Sequence, residues 1–357
     1  MTDPASPKKG RGALTNPDNR FSAFSRTDFH DDWPGDGEPL TPLRTTLHKD
    51  RAESVITRNN SPDIPFDRSI NPYRGCEHGC VYCFARPSHT FLGHSPGLDF
   101  ETEIYQKPEA AHLLETELRK RGYEPQPLAL GVNTDAWQPV EQHARITRSL
   151  LEVLWQYRHP VSLITKSARI VRDIDLLTPM AEAGLVSVAF SITTLDPTLS
   201  RRMEPRAASP AARLRALRRL HQAGIPVGVS VAPIIPGLTD PEIEDILATA
   251  REHGAAWSRY ILLRLPRELG PLFEQWLCAH YPDRAQRVMG LIRETHGGQV
   301  YDARFGVRMR GSGQVADLIA QRMRLGSRRL GLDGHPPRLN TASFSPPPRA
   351  GDQLSLL

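Results

Sequence analysis

The chain has 357 residues, 39% hydrophobic and 24% charged, enough for one large domain with tails or two ordinary ones. Four cysteines exclude a disulfide-stapled scaffold, no apolar run approaches the roughly 20 residues that span a bilayer, and the first nine residues hold no signal-peptide stretch, so a soluble, cytoplasmic protein is expected. The net charge of +5 is local: residues 301–357 carry nine Arg, no Lys and four Asp, and the remainder is balanced.

Residues 1–61 are polar, carry Pro4, Pro7, Pro17, Pro34, Pro39 and Pro42, and show no sustained apolar period, which predicts a largely irregular N-terminal arm. From residue 62, short β-branched runs alternate with helical patterns. Strands are predicted at 69–73, 128–133, 161–165, 186–192, 227–233 and 260–265, and helices at 108–121, 141–157, 170–183, 209–223 and 240–253. Ser209-Pro210 and Thr239-Asp240-Pro241 read as helix starts, with Gly224 and Gly254 as the matching stops. Six strand–helix repeats with doubly buried strands predict a parallel α/β body over 62–300, curled into an open six-stranded barrel or lying flat and doubly wound. Residues 300–309 read as one more strand, followed by a Gly311-Ser312-Gly313 turn and a helix near 314–324. This makes 301–331 a basic strand-turn-helix extension, and 332–357 is a Pro-rich tail.

The segment Gly75-Cys76-Glu77-His78-Gly79-Cys80-Val81-Tyr82-Cys83 follows the first predicted strand. Spacings of four and three put three thiolates on one tight loop, within reach of a single polynuclear centre. Structural zinc closes with four ligands, commonly two separated pairs, and there is no second pair here; His78 serves as a fourth ligand only if the loop reverses. A [4Fe–4S] cluster on three cysteines leaves one iron open to a small molecule. Zinc, or three unconnected thiols, stand as the plainer alternatives.

The C-x3-C-x2-C pattern with an aromatic before its third cysteine resembles the signature of the radical S-adenosylmethionine (radical SAM) enzymes. Asn71-Pro72-Tyr73-Arg74-Gly75 before it and Phe84-Ala85-Arg86-Pro87 after it are similar to the branch that includes spore photoproduct lyase, over about residues 62–265. The resemblance implies a partial (β/α)6 barrel of the radical SAM type with irregular N- and C-terminal extensions. It also implies a [4Fe–4S] cluster on Cys76, Cys80 and Cys83, S-adenosylmethionine cleaved to a 5′-deoxyadenosyl radical that abstracts hydrogen from a substrate, and an electron donor such as a flavodoxin or ferredoxin. Carried over by position, Tyr82 would lie beside the adenine, Thr134 and Asp135 would meet polar parts of S-adenosylmethionine, Lys166 would approach its carboxylate, and Ser191 would contact ribose or carboxylate. Taken singly, these residues read as packing, a helix cap, a solvated charge and a small core residue; read with the cysteines, they take the cofactor roles.

One departure bears on the substrate. The position of the lyase's hydrogen-donating cysteine is matched by Asn133, which cannot donate a hydrogen atom, so dimer splitting by the lyase's own route is not expected. The remaining thiol, Cys278, reads as a buried inert cysteine in a helical stretch. Glu204-Pro205-Arg206 offers a cation to a carboxylate or phosphate, or is a surface turn. His89 and His94 read as local hydrogen-bonding groups rather than acid–base groups over the substrate.

Arg304, Arg308 and Arg310 alternate, so a strand would set them on one face, and Arg322 and Arg324 extend them into a candidate nucleic-acid surface. Compositional bias, 39 Arg against 6 Lys, is the alternative. Gln353, Leu354, Leu356 and Leu357 resemble the terminal peptide by which bacterial replication and repair proteins dock on the sliding clamp. The expected function is therefore radical SAM chemistry on a substrate, with a nucleic acid in a repair-like reaction favoured. Radical modification of a protein or metabolite, or a non-catalytic iron–sulfur or zinc protein that binds nucleic acid, are the alternatives.

Overall fold

A computed structural model describes residues 7–21 and 43–348. Its main sheet contains β2 (Ile56–Arg58), β3 (Arg68–Ile70), β6 (Leu128–Leu130), β7 (Val161–Thr165), β8 (Val186–Ser191), β9 (Val227–Ile234) and β10 (Ser258–Leu262). The strand order is β10-β9-β8-β7-β6-β3-β2. From β3 to β10 every pairing is parallel, and β2 closes one edge antiparallel to β3. Each parallel strand lies beside its predecessor, so the chain never reverses direction across the sheet. A doubly wound sheet needs such a reversal. A sequential order with right-handed crossovers keeps the connecting helices on one face, which is the open-barrel arrangement.

The core explains why these runs became strands. β9 is buried along its whole length, and Val161, Leu163, Val186, Val188, Val227, Val229 and Val231 are all essentially solvent-free, as strands covered on both faces require. The crossover helices Ala110–Leu118, Ile146–Gln156, Ile174–Glu182, Pro210–Gln222 and Ile243–Glu252 supply Leu114, Leu150, Leu177, Leu217 and Ile246 to the same core. The Ser209 hydroxyl caps Pro210–Gln222 by accepting from the Ala212 amide at 3.3 Å. The helix expected over 141–157 is broken in two by Arg145 in the left-handed region (φ 52°).

Two stretches differ from expectation. Within the segment read as an irregular arm, β1 (Thr46–Lys49) and β2 are strands, and Arg11, Gly12, Ala13 and Leu14 are buried. β1 pairs with β5 (Glu103–Gln106), and β5 with β4 (Tyr73–Arg74), in a second, three-stranded sheet that leads into the cysteine loop. Short exposed strands with no apolar alternation leave no periodic signal. The strand expected at 300–309 is absent: the stretch is turn and irregular backbone, with Gly306 at positive φ. Arg304, Arg308 and Arg310 therefore do not line one strand face. The helix that follows, Gln314–Arg329, is present. Gln353, Leu354, Leu356 and Leu357 lie outside the described residues. No helix among the described residues is long and apolar enough to cross a membrane.

A Cβ at Gly228 in β9 would lie 2.2 Å from the buried Trp257 indole. Gly228→Ala is expected to destabilise the protein by about 1–3 kcal/mol through overpacking, read as a lower melting temperature; an unchanged melt would contradict this packing.

Candidate active site

β4 delivers the chain into the loop that carries Cys76, Cys80 and Cys83. The loop is shaped by a fully buried ion pair, Arg86 with Glu101. Arg86 also donates to the carbonyls of Cys80 (2.9 Å), Gly79 (3.2 Å), Pro96 (3.2 Å) and Gly97 (2.7 Å). Glu101 in turn accepts from the amides of Gly12 (3.0 Å) and Ala13 (2.8 Å), so the N-terminal arm is part of the loop's support. Only glycine fits where arm and loop cross: a Cβ at Gly12 would fall 1.8 Å from the Gly79 carbonyl oxygen, and one at Gly79 would fall 2.6 Å from Glu101 Oε2.

The three cysteines line one cavity of about 250 Å³ at the C-terminal ends of the parallel strands. All five residues singled out from the sequence, Tyr82, Thr134, Asp135, Lys166 and Ser191, line it too. Among the described residues no three His, Cys, Asp or Glu side chains converge on a single ion. Three cysteines lining one cavity, with no fourth protein ligand converging on them among the described residues, fit a polynuclear centre better than structural zinc. Burial, followed by the neighbouring Asp135 and the other two cysteines, pushes the Cys76 thiol well up; burial and Glu204 raise Cys80 to about 12. Such thiols are protonated at neutral pH, and cationic iron is what would draw their protons off.

Asp135 ties the site together. Its carboxylate accepts from Thr165 Oγ1 (2.8 Å) and the amides of Lys166 (2.8 Å) and Trp137 (2.9 Å), and His78 Nδ1 lies 3.4 Å away. Burial holds His78 below the ordinary imidazole range, and its ring stands beside Asp135 on the lining of the same cavity. Thr134 donates to the Gly75 carbonyl at 2.7 Å and accepts from Gln138, whose Oε1 receives the Glu77 amide. Tyr82 donates to Glu204, which pairs with the buried Arg213. Burial alone would raise Glu204, but Arg213 and Lys166 outweigh it and bring the carboxyl to about 2. Lys166 Nζ stands 5.8 Å from the Tyr82 ring centroid and has no hydrogen-bond partner among the described residues.

Other sequence candidates fall elsewhere. Arg206 pairs with Glu77 at 3.0 Å, across to the cysteine loop. His94 bonds Tyr105 Oη at 2.8 Å, as expected of a local group, while His89 packs edge-on against Phe100; neither lines the cavity. Burial, with His94 beside it, brings His89 down to about 4. Cys278, expected to be buried, is exposed and is not a cavity residue. Asn133 does line the cavity. Sequence reasoning missed Ser230 and Arg264 among the lining residues, and that Glu204 would pair with the buried Arg213 behind them. Arg264 stacks over the Phe84 ring at 4.1 Å with no ion pair among the described residues, and burial lowers its pKa. No local pattern marks it; only its place just beyond β10 could have.

The family model described as the Radical SAM superfamily matches residues 70–250. Uncharacterized proteins of Mycobacterium tuberculosis and Mycobacterium bovis are 34% identical over 251 residues, 70% of this chain and 74% of theirs. One from Methanocaldococcus jannaschii is 26% identical over 236 residues, 66% of this chain and 83% of its own. Among solved structures, a spore photoproduct lyase variant with bound AdoMet and dinucleoside spore photoproduct shares the fold with a TM-score of 0.53 at 17% identity, covering 80% of this chain and 78% of that one.

Two outcomes are expected. Arg86→Met leaves Glu101 buried and unpaired, so it should cost about 3–5 kcal/mol and lower bound iron after anaerobic reconstitution although no cysteine is touched. In cluster-free protein at pH 8, mass spectrometry should find Cys278 alkylated well before Cys76 and Cys80. The Cys80 rate should then climb with pH, because a raised pKa keeps the thiolate scarce; equal rates at pH 8 would contradict the assignment.

Proposed function

Since the chain belongs to the radical S-adenosylmethionine superfamily, whose members use a [4Fe–4S] cluster and S-adenosylmethionine, we propose that it applies this chemistry to a nucleic-acid substrate. The observation that carries the reading is the single cavity shared by Cys76, Cys80, Cys83, Tyr82, Thr134, Asp135, Lys166 and Ser191. When bound, the cluster supplies the electron that cleaves S-adenosylmethionine to methionine and a 5′-deoxyadenosyl radical.

The three cysteines would hold three irons. Lys166, with its ammonium uncommitted, takes the methionine carboxylate as a charge-assisted contact. Tyr82, fixed by Glu204, offers its ring to the adenine, and Ser191 meets the ribose or carboxylate. Thr134 and Asp135 are engaged by protein donors and acceptors, so their work is to orient the cysteine loop and the Lys166 backbone around the cofactor. Ile64, Phe66, Phe84 and Met309 form an apolar wall that keeps water and stray hydrogen donors from a reactive radical. Arg264 on that wall is a cation in search of an anion and suits a substrate phosphate. Asn133 stands where the lyase's thiol donor is expected, so the substrate radical is not quenched by a cysteine at that position. The basic C-terminal region and the dinucleoside ligand of the structurally similar lyase both favour a nucleic acid.

Anaerobic reconstitution should give a brown, iron- and sulfide-containing protein that releases 5′-deoxyadenosine on reduction, and alanine at Cys76, Cys80 or Cys83 should abolish both. Lys166→Ala should retain iron while weakening S-adenosylmethionine binding about tenfold or more, the scale of a hydrogen bond to a charged group. With deuterated oligonucleotides, deuterium should appear in 5′-deoxyadenosine. If it appears only from a peptide or a metabolite, the substrate assignment is overturned.

A further inference from the structure

A second cavity, a groove of about 730 Å³, lies between the edge strand β10 and the helix Gln314–Arg329. The helix contributes Asp317, Gln321, Arg324 and Arg328, which recur at helical spacing on one face; the strand contributes Arg259 and Tyr260, and the preceding turn Arg310. Of the arginines that the sequence singled out, Arg304 is held by Asp302, Arg308 by Asp63 and Arg322 by Glu244. Arg259, Arg310, Arg324 and Arg328 have no ion pair with any described residue, and the Arg259 guanidinium meets the His335 ring nitrogen at 3.4 Å. Asp317 and Asp333 are the acidic members of the lining, so the groove keeps a surplus of two positive charges.

Tyr260 adds an aromatic surface. Arg310 stands 5.7 Å from its ring centroid, and its buried hydroxyl has no hydrogen-bond partner among the described residues. Unspent guanidinium groups around an aromatic ring are the combination that holds a single-stranded backbone, with phosphates on the cations and a base on the ring. The groove also shares a wall with the cysteine cavity: Tyr260 and Arg310 line the groove, while their chain neighbours Ile261 and Met309 line the cavity.

We infer that this groove binds single-stranded nucleic acid alongside the radical site. The inference rests on the nucleic-acid reading above and specifies where the strand lies. The test uses anaerobically reconstituted protein and a fluorescein-labelled single-stranded oligothymidylate, with anisotropy read across a salt series. Arg324→Glu with Arg328→Glu should weaken binding at least tenfold and flatten the slope of log affinity against log salt, since each lost phosphate contact removes about 0.7 from it. Tyr260→Ala should weaken binding about five-fold or more with the slope unchanged, because stacking releases no counterions. The charge-matched pair Arg215→Glu with Arg218→Glu, exposed on Pro210–Gln222, should bind as the parent does.

An equal loss from that control pair, or unlabelled duplex competing as well as single strand, overturns the groove. So does deuterium transfer from an oligonucleotide that proceeds normally in the Arg324/Arg328 pair, which would leave the substrate reading standing. Binding that the groove substitutions abolish, without deuterium transfer from any oligonucleotide, sustains the groove and removes the substrate reading instead.

Discussion

A guanidinium and a carboxylate with no access to water hold the working loop of this protein in shape. Burying two charges is expensive and is tolerated only where every donor and acceptor is met. Arg86 meets that condition through four carbonyls of the loop and its return as well as through Glu101, and Glu101 through two amides of the N-terminal arm. The cysteines are thereby positioned by backbone atoms that cannot relax independently. A loop free to collapse would bring three soft sulfur donors together around whatever ion came first. This one holds them on the lining of one cavity.

A second buried pair, Glu204 with Arg213, does for Tyr82 what the first does for the cysteines. Between the two pairs, the ends of β6, β7, β8 and β9 bring Thr134 and Asp135, Lys166, Ser191 and Ser230 to one cavity. The division of labour follows from what each side chain has already spent. Asp135 is surrounded by donors and acts as a tie, whereas Lys166 and Arg264 have no hydrogen-bond or ion-pair partner among the described residues. The same accounting separates the C-terminal arginines, some of which stitch the extension to the body and others of which face the groove.

The cysteine triad, the six parallel strands and most crossover helices were legible in the chain itself. Thiol spacing is a local property, and strands covered on both faces are rich in β-branched and other apolar residues, as β7, β8 and β9 are. Helix ends such as Ser209-Pro210 and Gly224 declare themselves through backbone chemistry confined to a few residues. What decided open barrel over flat sheet was strand order, which no local pattern records. The partners of charged groups were equally hidden. Arg86 and Glu101, Glu204 and Arg213, or Arg308 and Asp63 are recognisable only once the chain has closed, because a charge in a sequence carries no sign of whether it will be buried. Residues 300–309 show the reverse error: alternating arginines mimicked a strand, and the backbone turned instead at Gly306, which has positive φ. The sequence by itself determined which chemistry this protein can hold, since ligand type and spacing are written along the chain. Tertiary structure alone decided which charges remain free to meet a substrate, since that depends on neighbours brought together from distant positions.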